Sequence, residues 1–161
     1  MTDFSHLDEQ GRVRMVDVTE KTPTQRSAVA QGVISMNRET FEKIENMSFK
    51  KGNVLETARI AGIMAAKKTG DLIPMCHPLN ISYARVDFFP DAAASSIRIV
   101  AEVRLSGKTG VEMEALTAVT VAALTIYDMC KSSDKGMKIS DVVLLEKTGG
   151  KSGVYQRGDA G

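Results

Sequence analysis

The sequence predicts an α+β fold in which an antiparallel sheet carries its helices on one face. Residues 81–89 and 97–105 each alternate apolar and polar side chains on either side of a short turn, which is typical of a β-hairpin. Residues 111–131 form a long, mostly apolar stretch without proline or glycine, in which alanine, leucine and methionine favour a helix. This stretch is apolar on nearly every side, so the helix is expected to be buried.

Shorter patterns predict the other strands. Residues 15–18 are expected to form a short strand, 28–36 a strand with loose alternation, and 137–145 the last strand. Residues 21–25, which include Pro23, are expected to be a linker or an arm that reaches another subunit.

Two further helices are predicted between the first strand and the hairpin. Asn37 is suited to cap a helix at 38–47, and Asn53 a helix at 54–68. The apolar face of the second helix is expected to include Leu55, Ala58, Ile60, Ile63 and Met64.

The order strand, two helices, two strands, helix, strand is close to the ferredoxin-like order, with one helix split in two. Val86, Phe88 and the apolar residues of 97–105 are expected to be too many for an exposed side of the sheet, so a homo-oligomer is expected to cover it. A single domain is expected at 15–153, between a flexible N-terminal tail at 1–14 and a C-terminal tail at 154–161.

Composition excludes several classes of protein. The chain has 161 residues and a net charge of +1, so no strong field attracts nucleic acid or a membrane surface. Two cysteines suggest a reducing compartment, and the polar N-terminus does not resemble a signal peptide. No apolar run is expected to approach a membrane span of about 20 residues, so a soluble, cytoplasmic protein is predicted.

Charged residues lie at both tips of the long predicted helix, where chemistry is expected. Asp128 and Lys131 are three residues apart and share a face. Glu114 and Asp128 are about 21 Å apart along the axis at roughly 1.5 Å per residue, so one small substrate on one subunit could hardly touch both. Either the two ends of the helix have different roles, or a neighbouring subunit supplies the other end of its own helix to the same site. Alternatively, Glu112, Glu114 and Lys131 only complement the helix dipole.

The loop at 74–78 is stiffened by Pro74 and Pro78 around Met75, Cys76 and His77. Cys76 is either a nucleophile or a small buried residue, and His77 either a substrate hydrogen-bonder or a structural histidine. With two histidines in the chain and no paired Cys or His motif, no metal site is predicted.

Two segments end like a phosphate-binding P-loop, Gly107-Lys108-Thr109 and Gly150-Lys151-Ser152, but both lack the first glycine of that motif. The second could still bind phosphate through backbone N–H groups, or be a flexible tail. Several lysines near the ends of elements would suit a polyphosphate substrate: Lys50, Lys51, Lys131, Lys147 and Lys151.

Five blocks, in order and at matching spacing, resemble the MoaC family: MVDVTEK at 15–21, KGNVLETARIAGIMAAKKT at 51–69, LIPMCHPL at 72–79, KTGVEMEALTAVTVAALTIYDMCK at 108–131 and GGKSG at 149–153. The resemblance implies a lyase of molybdenum cofactor biosynthesis. It converts cyclised dihydro-GTP, supplied by a radical-SAM GTP cyclase, into cyclic pyranopterin monophosphate and diphosphate. It also implies a homohexamer, a trimer of dimers, with sites at subunit interfaces. No cofactor is implied, and a magnesium ion with the triphosphate is left open.

The resemblance also implies roles for particular residues. Asp128, Lys131 and Lys51 match the family's catalytic groups, and the first two are assigned proton transfer. Three groups of residues are implied to bind the substrate: Met75, Cys76 and His77; Glu112, Met113 and Glu114; and Lys147 and Lys151. The last group is assigned to the triphosphate. Two departures are small, Met75 in place of leucine and Asn53 in place of aspartate.

Three other functions are alternatives to the lyase that the resemblance implies. A ferredoxin-like sensor would bind a nucleotide without releasing diphosphate, and a nucleotide hydrolase would act on GTP itself. An RNA-binding module is disfavoured by the small net charge and the few aromatic residues.

Overall fold

The structure, a computed structural model, describes residues 5–158. Its strands are β1 (Thr24–Ser35), β2 (Tyr83–Asp91), β3 (Ser96–Gly107), β4 (Lys138–Thr148) and β5 (Tyr155–Gln156). Its helices are α1 (Arg38–Glu45), α2 (Val54–Lys67), α3 (Thr69–Leu72) and α4 (Glu112–Cys130). The predicted α+β class and the order of the long elements are confirmed.

One antiparallel sheet contains all five strands, in the order β2-β3-β1-β4-β5. β1 is central, and its Ala30 lies opposite Ala101 of β3 and Leu144 of β4. The pairing of β1 with β4 shifts register twice, between Val29 and Ala30 and between Gln31 and Val33. The predicted antiparallel arrangement of the strands is therefore confirmed.

The core lies between one face of this sheet and the two long helices. α4 packs on β1, β3 and β4, while α2 packs on α4 and on β2. The helices approach closely at Gly62, where an added Cβ would lie 2.9 Å from the carbonyl oxygen of Ala118. Glycine and alanine at this crossing let α2 and α4 share one layer.

The predicted helix caps are confirmed. The side-chain oxygen of Asn37 accepts a hydrogen bond from the amide of Thr40 at 2.8 Å. That of Asn53 accepts from the amide of Glu56 at 3.1 Å. Each cap satisfies an N–H group that the first helical turn leaves unpaired.

The expectation of an apolar second face on the sheet was wrong. Val86 and alternate residues from Ile97 to Leu105 are buried beneath the helices, because a strand turns every second side chain to the same face. The open face instead carries ion pairs, including Arg85 with Asp87 at 3.0 Å and Arg85 with Glu102 at 3.3 Å. The apolar argument for an oligomer therefore does not hold for this face.

The helix layer, in contrast, exposes apolar side chains. Ile60 and Met64, predicted to lie on the buried face of α2, are 60% and 51% exposed. α4 is long and apolar enough to cross a membrane by length and composition, with a mean hydropathy of 1.3 over 18 residues. By this criterion of length and hydropathy, the expectation that no apolar run approaches the length of a membrane span is wrong. Half of this window is nevertheless buried inside the fold, as in a core helix.

Short elements and chain ends account for the other differences. Residues 15–18 form no strand, and the short α3 and β5 were not predicted. Leu7 and Val13 form an isolated bridge within the predicted N-terminal tail, and β5 pairs with the end of β4 within the predicted C-terminal one. Residues 1–4 and 159–161 of those tails lie outside the described residues, and the predicted domain limits stay a prediction.

Candidate functional site

A cavity of about 950 Å³ opens beside the N-terminal end of α4. All of the residues predicted to bind substrate line it: Met75, Cys76, His77, Glu112, Met113, Glu114, Lys147 and Lys151. They come from three separate stretches of the chain, which the fold brings together. The walls are completed by the start of β1 and by residues of the N-terminal segment, among them Val16 and Val18.

Glu114 is the most deeply buried acid of the cavity. It is 3% exposed, and burial raises its pKa to about 7, with a smaller contribution from the neighbouring charge of Glu112. A carboxyl with this pKa exchanges its proton near neutral pH, so it can accept or donate a hydrogen bond there.

This burial predicts a pH-dependent stability. The pKa of Glu114 is about 7 in the folded protein, against 4.5 for an ordinary glutamate, so the folded state keeps a proton that the unfolded chain releases. The free energy of unfolding therefore falls as pH rises from about 4.5 to 7, by on the order of 3 kcal/mol in total. Urea unfolding at pH 5 and pH 8 should show most of this loss in the wild type and not in Glu114→Gln.

A matched control is Glu45→Gln, since Glu45 is exposed at the end of α1. It should reproduce the wild-type difference between pH 5 and pH 8. If Glu114→Gln lost as much stability as the wild type over this range, burial of an ionisable Glu114 would be contradicted.

Glu112, one of the residues that line the cavity, forms an ion pair with another of them. Its carboxylate lies 2.7 Å from Lys147 Nζ, which also donates a hydrogen bond to Ser152 Oγ at 3.1 Å. The carboxylate rests against Gly110, where any Cβ would collide with it. The start of α4 and the end of β4 are thus joined through a charged pair of which both members are mostly buried.

The cavity holds three cations that the sequence did not single out as binding residues, Lys21, Arg26 and Lys108. Arg26 donates hydrogen bonds to the carbonyl oxygens of Gly107 and Lys108 at 3.3 and 3.4 Å. Its guanidinium lies against Gly150, in the space that a Cβ there would occupy. The Gly107-Lys108-Thr109 motif marked Lys108 as a candidate phosphate-binding residue. It was set aside because the segment lacks the first glycine of a P-loop. Arg26 had no local signal, because only strand pairing brings it here.

His77 holds the N-terminal segment in place. Its Nε2 lies 2.8 Å from the carbonyl oxygen of Val16, which can only accept, so Nε2 carries the proton. Lys108 Nζ donates to the carbonyl oxygen of Thr19 at 2.8 Å, which gives the segment a second tie. Both side chains that fix this wall also line the cavity.

Cys76 is not set up as a nucleophile. Burial raises the pKa of its thiol, and the nearby charge of Glu114 raises it further. The thiolate, which is the reactive form, is therefore disfavoured at neutral pH. Cys76 fits better as part of the cavity wall.

The three predicted catalytic residues form a second cluster, at the C-terminal end of α4. Lys131 Nζ lies 2.7 Å from Asp128 Oδ1, and Lys51 Nζ donates to the backbone oxygen of Asp128 at 3.2 Å. The hydrogen bond and charge of Lys131 lower the pKa of Asp128, with a smaller contribution from Lys51. The same pairing raises the pKa of Lys131. The Asp128–Lys131 pairing, rather than burial, dominates both pKa shifts, because both side chains are more than half exposed on the single chain.

The two clusters are far apart on one chain. None of Lys51, Asp128 and Lys131 lines the cavity. The rise of about 1.5 Å per residue puts Glu114 and Asp128 about 21 Å apart along α4. The structure thus brings together eight predicted residues at one end of the helix and three at the other. Within residues 5–158, no three His, Cys, Asp or Glu side chains are grouped so as to hold a metal ion.

Comparison with known proteins bears on this two-part arrangement. The model of the MoaC family matches residues 15–150. The chain belongs to the MoaC family. The match covers all eleven predicted site residues except Lys151, which lies one residue beyond it.

Curated relatives are similar over nearly the whole chain. A cyclic pyranopterin monophosphate synthase of Desulforapulum autotrophicum is 67% identical over 155 residues, which cover 96% of this chain and 95% of the relative. The synthase of the same name from Desulfatibacillum aliphaticivorans is 63% identical, with 96% and 98% covered. That of Methylobacterium sp. strain 4-46 is 59% identical, with 96% and 97% covered.

Proposed function

We propose that this chain is a cyclic pyranopterin monophosphate synthase, an enzyme of molybdenum cofactor biosynthesis that converts cyclised dihydro-GTP and releases diphosphate. The family and the shared name of the relatives support the reaction. The observation on this chain that carries the proposal is the cavity beside α4. It combines a buried carboxyl and apolar walls with a set of cations.

The residues that line the cavity suit the two parts of such a substrate. They include Glu114 and the apolar Met75, Met113 and Leu79, so a flat heterocycle could pack in the cavity and present N–H groups to the carboxyl oxygens. Lysine and arginine side chains suit a triphosphate through charge-assisted hydrogen bonds: Lys21, Arg26, Lys108, Lys147 and Lys151. A guanine-derived nucleoside triphosphate matches this combination.

In the proposed reaction, a sugar hydroxyl oxygen attacks the α-phosphorus and the bond from that phosphorus to the bridging oxygen breaks. Diphosphate leaves with the bonding electrons, and the hydroxyl proton passes to a base. The cavity cations would stabilise the charge that develops on the departing diphosphate. We assign the role of proton donor in the ring rearrangement to Lys131, which is an ammonium at neutral pH and lies 2.7 Å from Asp128.

A site shared between subunits is the finer part of the proposal. The separation of the two clusters on one chain supports it, because a neighbouring subunit could bring Asp128, Lys131 and Lys51 to the cavity. We propose that the assembly is a homohexamer, a trimer of dimers of ferredoxin-like subunits. The sheet order β2-β3-β1-β4 supports the ferredoxin-like description. A cytoplasmic location, a radical-SAM cyclase upstream, and the question of magnesium with the triphosphate stay expectations.

The direct test is diphosphate release by the wild type from cyclised dihydro-GTP generated in situ by the cyclase. We expect release from this substrate and none from GTP itself. Release from GTP would favour a nucleotide hydrolase. Binding of the cyclised substrate without release by well-folded protein would favour a sensor.

A further inference from the structure

Arg26 lies between the loop that follows β3 and the loop that follows β4. Both of these strands run antiparallel to the central strand β1, so their C-terminal ends lie beside the start of β1. Thr24 pairs with Gly107 at the end of β3, and Ser27 pairs with Thr148 at the end of β4. The sheet therefore places the side chain of Arg26 within reach of both loops.

The Arg26 side chain contacts the backbone of both loops. After β3, its Nε and one Nη donate hydrogen bonds to the carbonyl oxygens of Gly107 and Lys108 at 3.3 and 3.4 Å. After β4, a Cβ at Gly149 would lie 3.0 Å from Arg26 Cδ, and a Cβ at Gly150 would collide with the guanidinium. Both glycines also have positive φ, 95° and 77°, which a side chain would strain. The two glycines thus leave the space that Arg26 fills.

Arg26 differs in this respect from the lysines of the cavity. Lys108 reaches the cavity from the first loop and Lys151 from the second, each with a single charged atom at the end of a flexible side chain. Arg26 is only partly exposed, and its planar guanidinium holds its donors in fixed directions. Because two of these donors bind backbone carbonyl groups, Arg26 sets the position of one loop relative to the other.

We propose that Arg26 is a positioning residue, which fixes Lys108 relative to Lys151 so that both ammonium groups can bind one polyphosphate chain. That this chain belongs to the substrate rests on the proposed function, whereas the link between the loops does not. Once one end of a triphosphate is bound, its contact with the second loop is intramolecular and is favoured by a fixed distance. A single phosphate makes fewer of these contacts, so its binding depends less on the link.

The affinities for GTP and guanosine monophosphate test this role, because GTP binds without reacting in the proposed function. Isothermal titration calorimetry gives the ratio of the two dissociation constants. Arg26→Lys keeps the positive charge but cannot replace the paired donors. We expect the preference for GTP to fall by about tenfold, the usual effect of losing a hydrogen bond to a charged group, with little change for the monophosphate. A merely structural loss would weaken the binding of both nucleotides.

Gly150→Ala breaks the same link from the other loop, because the added methyl group takes the space of the guanidinium. It should lower the preference for GTP as Arg26→Lys does. The double variant should fall no further, since both changes remove one interaction. Gly153→Ala is the matched control in the same loop, with a φ of 65° and no atom within 4 Å of the added Cβ. It imposes similar backbone strain and should keep the preference.

The role of Arg26 is overturned if Arg26→Lys, folded by circular dichroism, keeps the wild-type ratio, or if Gly153→Ala lowers the ratio as much as Gly150→Ala. It is also overturned if the wild type binds GTP no more tightly than the monophosphate. Diphosphate release from cyclised dihydro-GTP by the wild type in any of those cases would keep the proposed function. A lower ratio in both link variants, with no release by the wild type, would keep the role of Arg26 and reject the proposed function.

Discussion

Lys131→Ala is expected to lower diphosphate release from cyclised dihydro-GTP by about 10²- to 10⁴-fold, the usual contribution of a positioned acid or base. Lys131 donates to Asp128 at 2.7 Å, and this pairing raises the pKa of the lysine, so it is an ammonium at neutral pH. Alanine removes the proposed proton donor and leaves Asp128 without this partner. Single-turnover assays with the substrate generated in situ measure the change.

The fold should survive this substitution, because the Lys131 side chain is 52% exposed. Lys135→Ala is the matched control, an exposed lysine just beyond α4 whose loss should leave the rate near that of the wild type. Equal release by Lys131→Ala and the wild type would keep the enzyme and remove Lys131 from its chemistry.

A mixture of two inactive variants is expected to regain activity if each site draws on two subunits. Asp128→Asn damages the C-terminal cluster, and Glu114→Gln damages the cavity. Half of the pairs formed by random mixing contain one chain of each kind, and each such pair has one site with neither change. About a quarter of all sites should therefore be intact in a 1:1 mixture.

The assay compares diphosphate release by co-refolded mixtures with release by each variant alone. Asp128→Asn mixed with Lys131→Ala is the matched control, because both changes fall in the same cluster and every shared site keeps one of them. No recovery in the first mixture, with assembly intact, would mean that each site is built from one chain.

Much of the fold could be predicted because its signals are local. The alternation of 97–105 and the composition of 111–131 identified β3 and α4, and the capping residue Asn53 marked the start of α2. What failed was the assignment of faces. Val86 was expected on an uncovered side but packs beneath the helices, whereas Ile60 was expected inside and is exposed. Apolar content does not tell which neighbour covers a side chain.

The residues of the candidate site also divide into those that could be predicted and those that could not. Resemblance to a family supplied residues such as Glu114 and Lys147, which spacing alone could not connect. Arg26 was missed because only strand pairing brings it to the cavity, and Lys108 was missed because its Gly-Lys-Thr motif was set aside together with the P-loop. Long-range contacts of this kind leave no periodic trace in the sequence.

The hydrogen bonds from His77 to Val16 and from Lys108 to Thr19 have a thermodynamic consequence. A ligand that takes these two donors competes with the chain's own carbonyl groups, so ligand binding and ordering of residues 16–19 oppose each other. The coupling is reciprocal. If ligand binding favours release of residues 16–19 by a given factor, release of these residues favours ligand binding by the same factor. Amide exchange at Val18 and Thr19 would then serve as a gauge of occupancy, faster when the cavity is filled.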